Sequence, residues 1–196
     1  LVTQARYRLR GQVDVARLQA AWQTLIERHP ALRTGFVWQG LRRPLQFVQR
    51  AATLPFTVHD LGDLGAAEQE RNLYQLRQLT HQQHVSLSSP PLMRLTLLRL
   101  NAEEYEMLWD CHHLVVDRWC NGILLRELLT LYDAATLGKP VDLPSPAPFA
   151  DYVAWLQQQS PSEAEQFWRG QIGQSAQPSL LADVCPSGST GKPAIG

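Results

Sequence analysis

Residues 104–119, EYEMLWDCHHLVVDRW, decide the fold of this chain. Apolar and acidic side chains alternate over the first half of the stretch, which is the period of a β-strand with one face toward a core. The apolar face carries Tyr105, Met107, Trp109 and Cys111, and the other face carries Glu104, Glu106 and Asp110. The chain then turns at two histidines and enters a leucine-rich helix, predicted from Trp119 to Leu137 and closed by Gly138. A strand that leads through a turn into a helix holds side chains on a rigid scaffold, so we expect a functional site here.

The flanking segments supply the rest of a sheet. Residues 92–100 are separated from residues 104–111 by a short link, which predicts an antiparallel hairpin. Further strands are predicted at residues 1–10, 32–39, 45–49 and 56–59. Further helices are predicted at residues 15–29, 65–84, 149–159 and 162–170. Because helices and strands alternate irregularly around at least one antiparallel pair, the fold class is α/β or α+β with a mixed sheet.

Composition and charge argue against several classes of function. The chain has 196 residues, with 18 Lys and Arg against 18 Asp and Glu, so its formal net charge is zero. No block of like charges occurs, which argues against a nucleic-acid partner. No apolar run is long enough to span a membrane, and the first residues, LVTQARYRLR, lack the apolar segment of a signal peptide. The chain does not begin with Met, so we expect it to be part of a longer protein. Three cysteines argue against a disulfide scaffold and for a reducing compartment, which we expect to be the cytoplasm.

The two adjacent histidines are the candidate catalytic groups. Neighbouring residues on a strand face opposite ways, so one of His112 and His113 can face a cleft while the other faces the core. A neutral imidazole near pH 7 can accept a proton from an attacking amine or hydroxyl. Asp117 could orient the site or hold the turn through an arginine. From spacing alone, a pair of core or surface histidines without a chemical role is a somewhat better interpretation than a catalytic pair.

Metal, phosphate and covalent chemistry find little support in the sequence. Cys111, His112 and His113 are contiguous, and contiguous ligands rarely converge on one ion. The usual zinc-ligand spacings, a glycine-rich phosphate loop and a serine nucleophile elbow do not occur. Neither Cys111 nor Cys120 carries a mark of an activated nucleophile. We therefore expect no metal and no directly bound cofactor.

Several motifs in a fixed order resemble those of one family. HHLVVD, RHPALRTGF and FADYVAW are similar to the HHxxxD, RHxxLRTxF and (Y/F)xDYxxW motifs of the condensation domains of nonribosomal peptide synthetases, in the chloramphenicol-acetyltransferase-like superfamily. The resemblance implies a chloramphenicol-acetyltransferase-like lobe, with a mixed, mostly antiparallel sheet flanked by helices. The matching segments are residues 28–36, 91–94, 112–117 and 149–155, and the Phe167-Trp168 pair.

The resemblance also predicts how the chain is organised. Family members are considerably longer and have two similar lobes around a tunnel. The family's opening motif does not occur before Leu1, and the motifs of its second lobe do not occur after Gly170. We therefore expect residues 1–170 to form an N-terminal lobe and residues 171–196 an inter-lobe linker or a disordered tail. Since the family's site lies between the lobes, the isolated lobe is expected to be inactive.

Amide-bond formation in antibiotic and other secondary-metabolite biosynthesis is the function that the resemblance implies. An upstream carrier domain presents an acyl or peptidyl thioester on its phosphopantetheine arm, and the amine of an aminoacyl thioester on the downstream carrier attacks it. The implied partners are both carriers, the second lobe and an adjacent adenylation domain. Two alternatives stay open: a related carrier- or CoA-dependent acyltransferase, and a degenerate domain that recruits a partner.

The resemblance assigns roles to individual residues. His113, the second histidine, would contact the nucleophilic amine as general base or positioning group. His112 and Asp117 would be more structural, and Asp117 is expected to pair with Arg33. Because breaking a desolvated pair costs about 3–5 kcal/mol, Asp117→Ala is expected to damage folding as much as chemistry.

Arg118 departs from the family, which has glycine directly after the aspartate. Trp119 and Gly122 fit the family pattern again. An arginine is unfavourable at a helix N-terminus unless it is paired. Three hypotheses follow: Arg118 and Trp119 reshape the acceptor channel, with Arg118 contacting an anionic substrate or the carrier arm; the domain is degenerate; or the arginine simply turns outward.

Overall fold

The computed structural model describes residues 1–173 of the chain. Its strands are β1 (Val2–Arg10), β2 (Thr34–Val37), β3 (Leu45–Val48), β4 (Phe56–Asp60), β5 (Met93–Asn101) and β6 (Glu104–His112). Its helices are α1 (Val15–Arg28), α2 (Ala66–Gln82), α3 (Arg118–Leu137), α4 (Phe149–Gln157) and α5 (Pro161–Ile172). A 3-10 turn over Pro30–Arg33 joins α1 to β2. The order of elements is the one that the sequence predicts.

Four strands form one sheet in the order β1-β6-β5-β4. Strand β6 pairs antiparallel with β1 and with β5, whereas β4 runs parallel to β5. The prediction of a mixed, mostly antiparallel sheet is therefore confirmed. Strands β2 and β3 form a separate antiparallel pair. Because β6 has a neighbour on each side, the turn that follows it starts from a fixed backbone.

One face of the sheet packs against α1 and α3. Trp22 of α1 and Trp109 of β6 are almost fully buried, and their ring centroids lie 5.1 Å apart. An aromatic pair in this arrangement contributes about 0.5–1.5 kcal/mol beyond the burial of its area. The predicted apolar face of β6 is thus part of the core and packs beneath α3. Aliphatic side chains around the tryptophans include Leu18, Leu25, Ile26, Leu95, Leu97, Met107, Leu124 and Leu128.

The opposite face of the sheet lies under α2. Leu73 of α2 packs with Leu98 of β5 and Leu108 of β6. Glu106 and Asp110 belong to the same side and are also buried, with 4% and 0% of their surface exposed. Because a buried carboxylate is costly unless it is paired, the partners of these two residues shape this side of the fold.

The strand predicted over residues 32–39 is shorter than expected. Residues Pro30–Arg33 form the 3-10 turn, and only Thr34–Val37 is extended. Pro30 stands at the start of the turn, where its fixed φ favours a helical conformation. The hydroxyl of Thr34 donates to the Pro30 carbonyl at 3.0 Å and reinforces the turn. Alternation of apolar residues does not reveal a turn that begins at a proline, so the prediction of a strand was wrong for residues 32 and 33.

The chain divides after Asp151 into two units, and the second begins at Tyr152. In the second unit, α5 follows Ser160, whose hydroxyl accepts a hydrogen bond from the Glu163 amide at 3.4 Å. The predicted boundary between a lobe ending at residue 170 and a linker starting at residue 171 falls in the last turn of α5. Residues 174–196, most of the predicted linker or tail, lie outside the described residues, so this division stays a prediction.

Candidate functional site

A short turn joins β6 to α3 and carries the two histidines. The amide of His112 donates to the Leu92 carbonyl at 2.9 Å, so the strand is paired up to its last residue. The amide of Val115 donates to the His112 carbonyl at 3.1 Å and closes the turn. Asp117 then caps α3, because its carboxylate accepts from the Cys120 amide at 2.9 Å. Hydrogen bonds therefore fix both ends of the turn.

The two histidines have different surroundings. His112 is partly buried, and its Nδ1 accepts from the amide of Leu114 at 3.2 Å. Burial lowers the pKa of His112, so this imidazole is neutral near pH 7. His113 is exposed, and no residue within 1–173 forms a hydrogen bond with its ring. One imidazole is anchored, and the other is free to receive a group that is brought to it.

The expected pair between Asp117 and Arg33 is not formed among the described residues. The Arg33 guanidinium donates instead to backbone carbonyls, at 3.0 Å to Ile26 and at 3.2 Å to Arg50, and also to that of Gln49. It ties the 3-10 turn to the end of α1 and to the segment after β3. Asp117 is exposed, and its hydrogen bond from the Cys120 amide lowers the pKa of its carboxyl group. The prediction was wrong because the Asp117 carboxylate caps α3 and the Arg33 guanidinium donates to backbone carbonyls.

Arg118 and Trp119 begin α3, and both side chains are exposed. Trp119 is 86% exposed, and Leu114 in the turn is 55% exposed. No carboxylate within residues 1–173 forms an ion pair with Arg118. The free imidazole of His113 therefore belongs to a segment that also exposes an indole, a leucine and a guanidinium group.

A groove borders the histidine turn and the 3-10 turn, and Val115 and Val116 are among its lining residues. On its wall, His29 Nε2 lies 2.8 Å from Glu127 Oε2, and Arg28 Nε donates to the same oxygen at 3.1 Å. This cluster joins the end of α1 to α3. Sequence reasoning treated Arg28 and His29 only as part of a motif and missed Glu127, whose single signal is an acidic residue within a leucine-rich helix.

Neither cysteine next to the histidine turn is an activated nucleophile. Burial raises the pKa of Cys111 to about 12 and also raises the pKa of Cys120, so both are thiols at neutral pH. Within residues 1–173, no group of three His, Cys, Asp or Glu side chains could hold a metal ion. No helix of that part of the chain is long and apolar enough to cross a membrane.

The family model described as the condensation domain matches residues 2–192. This chain belongs to the condensation domain family. One of the proteins that make up the linear gramicidin synthase of Brevibacillus parabrevis is 38% identical to it over 181 residues. Those residues make up 92% of this chain and 4% of the synthase protein. The resemblance to condensation domains of nonribosomal peptide synthesis, predicted from the motifs, is confirmed.

Solved structures share the fold of this condensation chain. The starter condensation domain of the rhizomide synthetase gives a TM-score of 0.79 at 17% identity, over 90% of this chain and 43% of that one. The X-domain in its complex with OxyB from teicoplanin biosynthesis gives a TM-score of 0.71 at 26% identity, over 92% and 40%. The chain thus spans less than half the length of either, and the predicted chloramphenicol-acetyltransferase-like fold class is confirmed.

The condensation domains of these synthetases are enzymes that transfer acyl or peptidyl groups. In this chain, most of the predicted site residues lie in one segment of the sequence, between the end of β6 and the start of α3, and within residues 1–173 Arg33 forms no hydrogen bond or ion pair with them. The roles assigned to them individually stay predictions. The residues of the shared segment are His112, His113, Asp117, Arg118 and Trp119.

Proposed function

We propose that this chain is the N-terminal lobe of a condensation domain that forms peptide bonds between carrier-bound substrates. One observation carries the proposal: the ring of His113 is exposed and without a hydrogen-bond partner among the described residues, at the end of a strand that is fully paired. An exposed imidazole that directly follows a rigid strand suits a group that meets an incoming amine.

In the proposed reaction, the α-amino nitrogen of the downstream aminoacyl thioester attacks the carbonyl carbon of the upstream acyl thioester. The C–N bond forms and the C–S bond breaks, and the growing chain moves to the downstream carrier. His113 accepts the proton that the amine loses, and the departing thiolate of the upstream arm takes up a proton. An α-amino group has a pKa near 8, so much of it is already free base, and positioning by His113 can supply much of the acceleration.

The other residues of the turn support His113 in this proposal. His112 accepts from the Leu114 amide, and Asp117 fixes the first turn of α3. Arg118 and Trp119 face the proposed acceptor channel, where the guanidinium takes the place of the family's glycine. Arg33 contributes at a distance, since its carbonyl contacts hold the 3-10 turn.

The proposed partners follow from the family. The chain covers 4% of a protein of the linear gramicidin synthase, as expected for part of a multidomain synthetase. We propose an upstream and a downstream carrier, each with a phosphopantetheine arm, together with a second lobe and an adjacent adenylation domain. No cofactor is bound directly in this proposal, because the arms bring both substrates as thioesters.

The proposal is tested in the complete two-lobe domain with both carriers loaded. Intact-protein mass spectrometry of the downstream carrier follows product formation by wild type, His113→Ala and Arg118→Gly. We expect product from wild type, and a loss of about 100-fold or more in His113→Ala, as for removal of a general base. Full activity in His113→Ala would contradict the role of this histidine, and transfer of the acyl group to water or a free alcohol would favour a different acyltransferase.

Recruitment of a partner by a degenerate domain is the second candidate function. The X-domain that resembles this chain at 26% identity was solved in complex with OxyB, and Arg118 replaces the family's glycine beside the histidines. In the same experiment, a wild type that forms no product while Arg118→Gly does form it would favour this candidate. Product formation by wild type at a rate similar to that of Arg118→Gly would exclude a degenerate domain.

A further inference from the structure

A row of polar side chains crosses the sheet just before the histidine pair. Gln4 of β1 and Arg94 of β5 are the direct cross-strand partners of Asp110 in β6. We propose that this Gln4–Asp110–Arg94 row, the polar row, is a positioning device for the condensation site. It holds the end of β6 and so places the imidazole of His113. This inference rests on the proposed function and adds residues to its site that the motifs do not contain.

Asp110 is the centre of the polar row and has no exposed surface. Its Oδ1 accepts from Gln4 Nε2 at 3.1 Å, and its Oδ2 lies 3.7 Å from Arg94 Nε. His81 of α2 is also near this carboxylate, with its Nδ1 3.8 Å from Oδ1. Three elements therefore converge on one carboxylate.

The polar row also fastens the sheet to the end of α2. Besides Asp110, Gln4 Nε2 lies 3.0 Å from Thr80 Oγ1 and 3.2 Å from the Arg77 carbonyl. Arg94 Nη2 donates to the Gln83 carbonyl at 2.5 Å. Strand β6, which ends at His112, is thus held from both neighbouring strands and from α2.

A contribution to stability alone does not explain this arrangement. Asp110 Oδ2 and Arg94 Nε make no hydrogen bond within residues 1–173. A buried pair with incomplete hydrogen bonding is often no more stable than apolar side chains of the same volume. In this proposal the pair supplies a fixed geometry, because catalytic groups must be held within roughly 0.5 Å of their productive positions.

Position along β6 links the polar row to the site. Asp110 comes directly before Cys111, which leads into His112 and His113. At about 3.3 Å per residue, its Cα lies roughly 10 Å from that of His113. Strand alternation places Asp110 and His112 on the same face of the sheet, under α2. A shift of the Asp110 backbone is therefore expected to pass along the paired strand to His112 and from there to His113, the next residue.

Glu106 offers a matched control on the same strand. It is also buried on the α2 face, and Arg77 donates to its two carboxylate oxygens at 2.6 and 2.7 Å. It lies two strand repeats farther from the histidines than Asp110. A role in stability alone would be shared by both carboxylates, whereas positioning of His113 should depend mainly on Asp110.

The test compares Asp110→Asn with Glu106→Gln in the complete two-lobe domain, using loaded carriers under single-turnover conditions. We expect the rate constant for condensation to fall about tenfold or more in Asp110→Asn and less than about twofold in Glu106→Gln. The carrier concentration that gives half the maximal rate should not change in either variant. The double variant Asp110→Asn/Arg94→Gln makes the row neutral and should recover part of the lost rate. Equal rate losses in the two single variants, or no loss in Asp110→Asn, would overturn the inference.

A second readout does not depend on the proposed reaction. In the same domain with labelled histidines, the NMR signals of the His112 and His113 rings should shift in Asp110→Asn and stay in place in Glu106→Gln. If the His112 and His113 signals in Asp110→Asn are the same as in wild type, the positioning role is contradicted, even if the wild type condenses its substrates. Moved signals with an inactive wild type would instead support the positioning role and count against the proposed function. If Asp110→Asn does not fold, Gln4→Met replaces it in both comparisons, because this substitution removes the hydrogen bond from Gln4 Nε2 to Asp110.

Discussion

The Asp117 side chain is an exposed cap at the start of α3, bonded to the Cys120 amide at 2.9 Å. Replacing it with alanine should lower the free energy of unfolding by about 1 kcal/mol, the usual cost of losing an N-cap. Asp117→Asn keeps a capping oxygen and should unfold close to wild type. Urea unfolding of the three proteins measures the difference. A loss of several kcal/mol in Asp117→Ala would show that the carboxylate has a buried charged partner.

Sequence located the histidines but not the partners of the charged residues around them. His112 and His113 were predictable because a strand pattern ends there and a helix pattern follows. The acceptors of Arg33 are backbone carbonyls, which carry no signal of residue type. The polar row around Asp110 depends on the register of two strand pairs, and periodicity within one strand does not give that register.

At the scale of elements, the pairing of β2 with β3 depends on Gly35. A Cβ atom at this position would lie 2.6 Å from the Phe47 ring and 2.8 Å from Cγ of Pro90. Gly35→Ala should therefore lower the free energy of unfolding by about 1–3 kcal/mol through overpacking. Gly122 lies within α3 with no atom within 4 Å of its added Cβ, so Gly122→Ala should raise stability by up to about 1 kcal/mol. Denaturant titrations of both variants measure whether the free energy of unfolding falls in Gly35→Ala and rises in Gly122→Ala. An unchanged free energy of unfolding in Gly35→Ala would mean that the hairpin adjusts to the added methyl group.

The elements themselves were mostly predictable, because β6, β5 and the helices have clear periods of 2 or 3.6. The parallel pairing of β4 with β5 was not predictable, because the residue pattern of one strand does not show which strand lies beside it. The 3-10 turn at Pro30–Arg33 was also missed, because it is too short to show a period of its own.

For the molecule as a whole, carboxyl groups with opposite pKa shifts set how stability depends on pH. Hydrogen bonding to the Cys120 amide lowers the pKa of Asp117. The pKa of Glu127 is also lowered, because burial is outweighed by hydrogen bonds from His29 and Arg28. Each contributes stability that is present above the ordinary carboxyl pKa and is lost as the pH falls through the lowered value.

Asp110 has the opposite sign. Burial raises its pKa, and the neighbouring Gln4, Arg94 and His81 only partly offset this effect. Its contribution is therefore fully present at low pH and declines as the pH rises from the ordinary carboxyl value through the raised one. We expect the free energy of unfolding of Asp110→Asn, relative to wild type, to increase as the pH rises above about 4. Urea unfolding at a series of pH values measures this slope, and a constant difference would show an ordinary pKa.

Strand β1 borders β6 on one side only, and no strand within residues 1–173 covers its other side. The outward backbone groups of such a strand are a template on which a second chain can add, which is the first step of aggregation. Arg6, Arg8 and Arg10 recur along β1 and are all exposed, and Arg8 forms ion pairs with Glu104 and Glu106. If two copies approached through this strand, the guanidinium groups of Arg6 and Arg10 would come together, and their mutual repulsion would oppose the addition of a second chain at this edge.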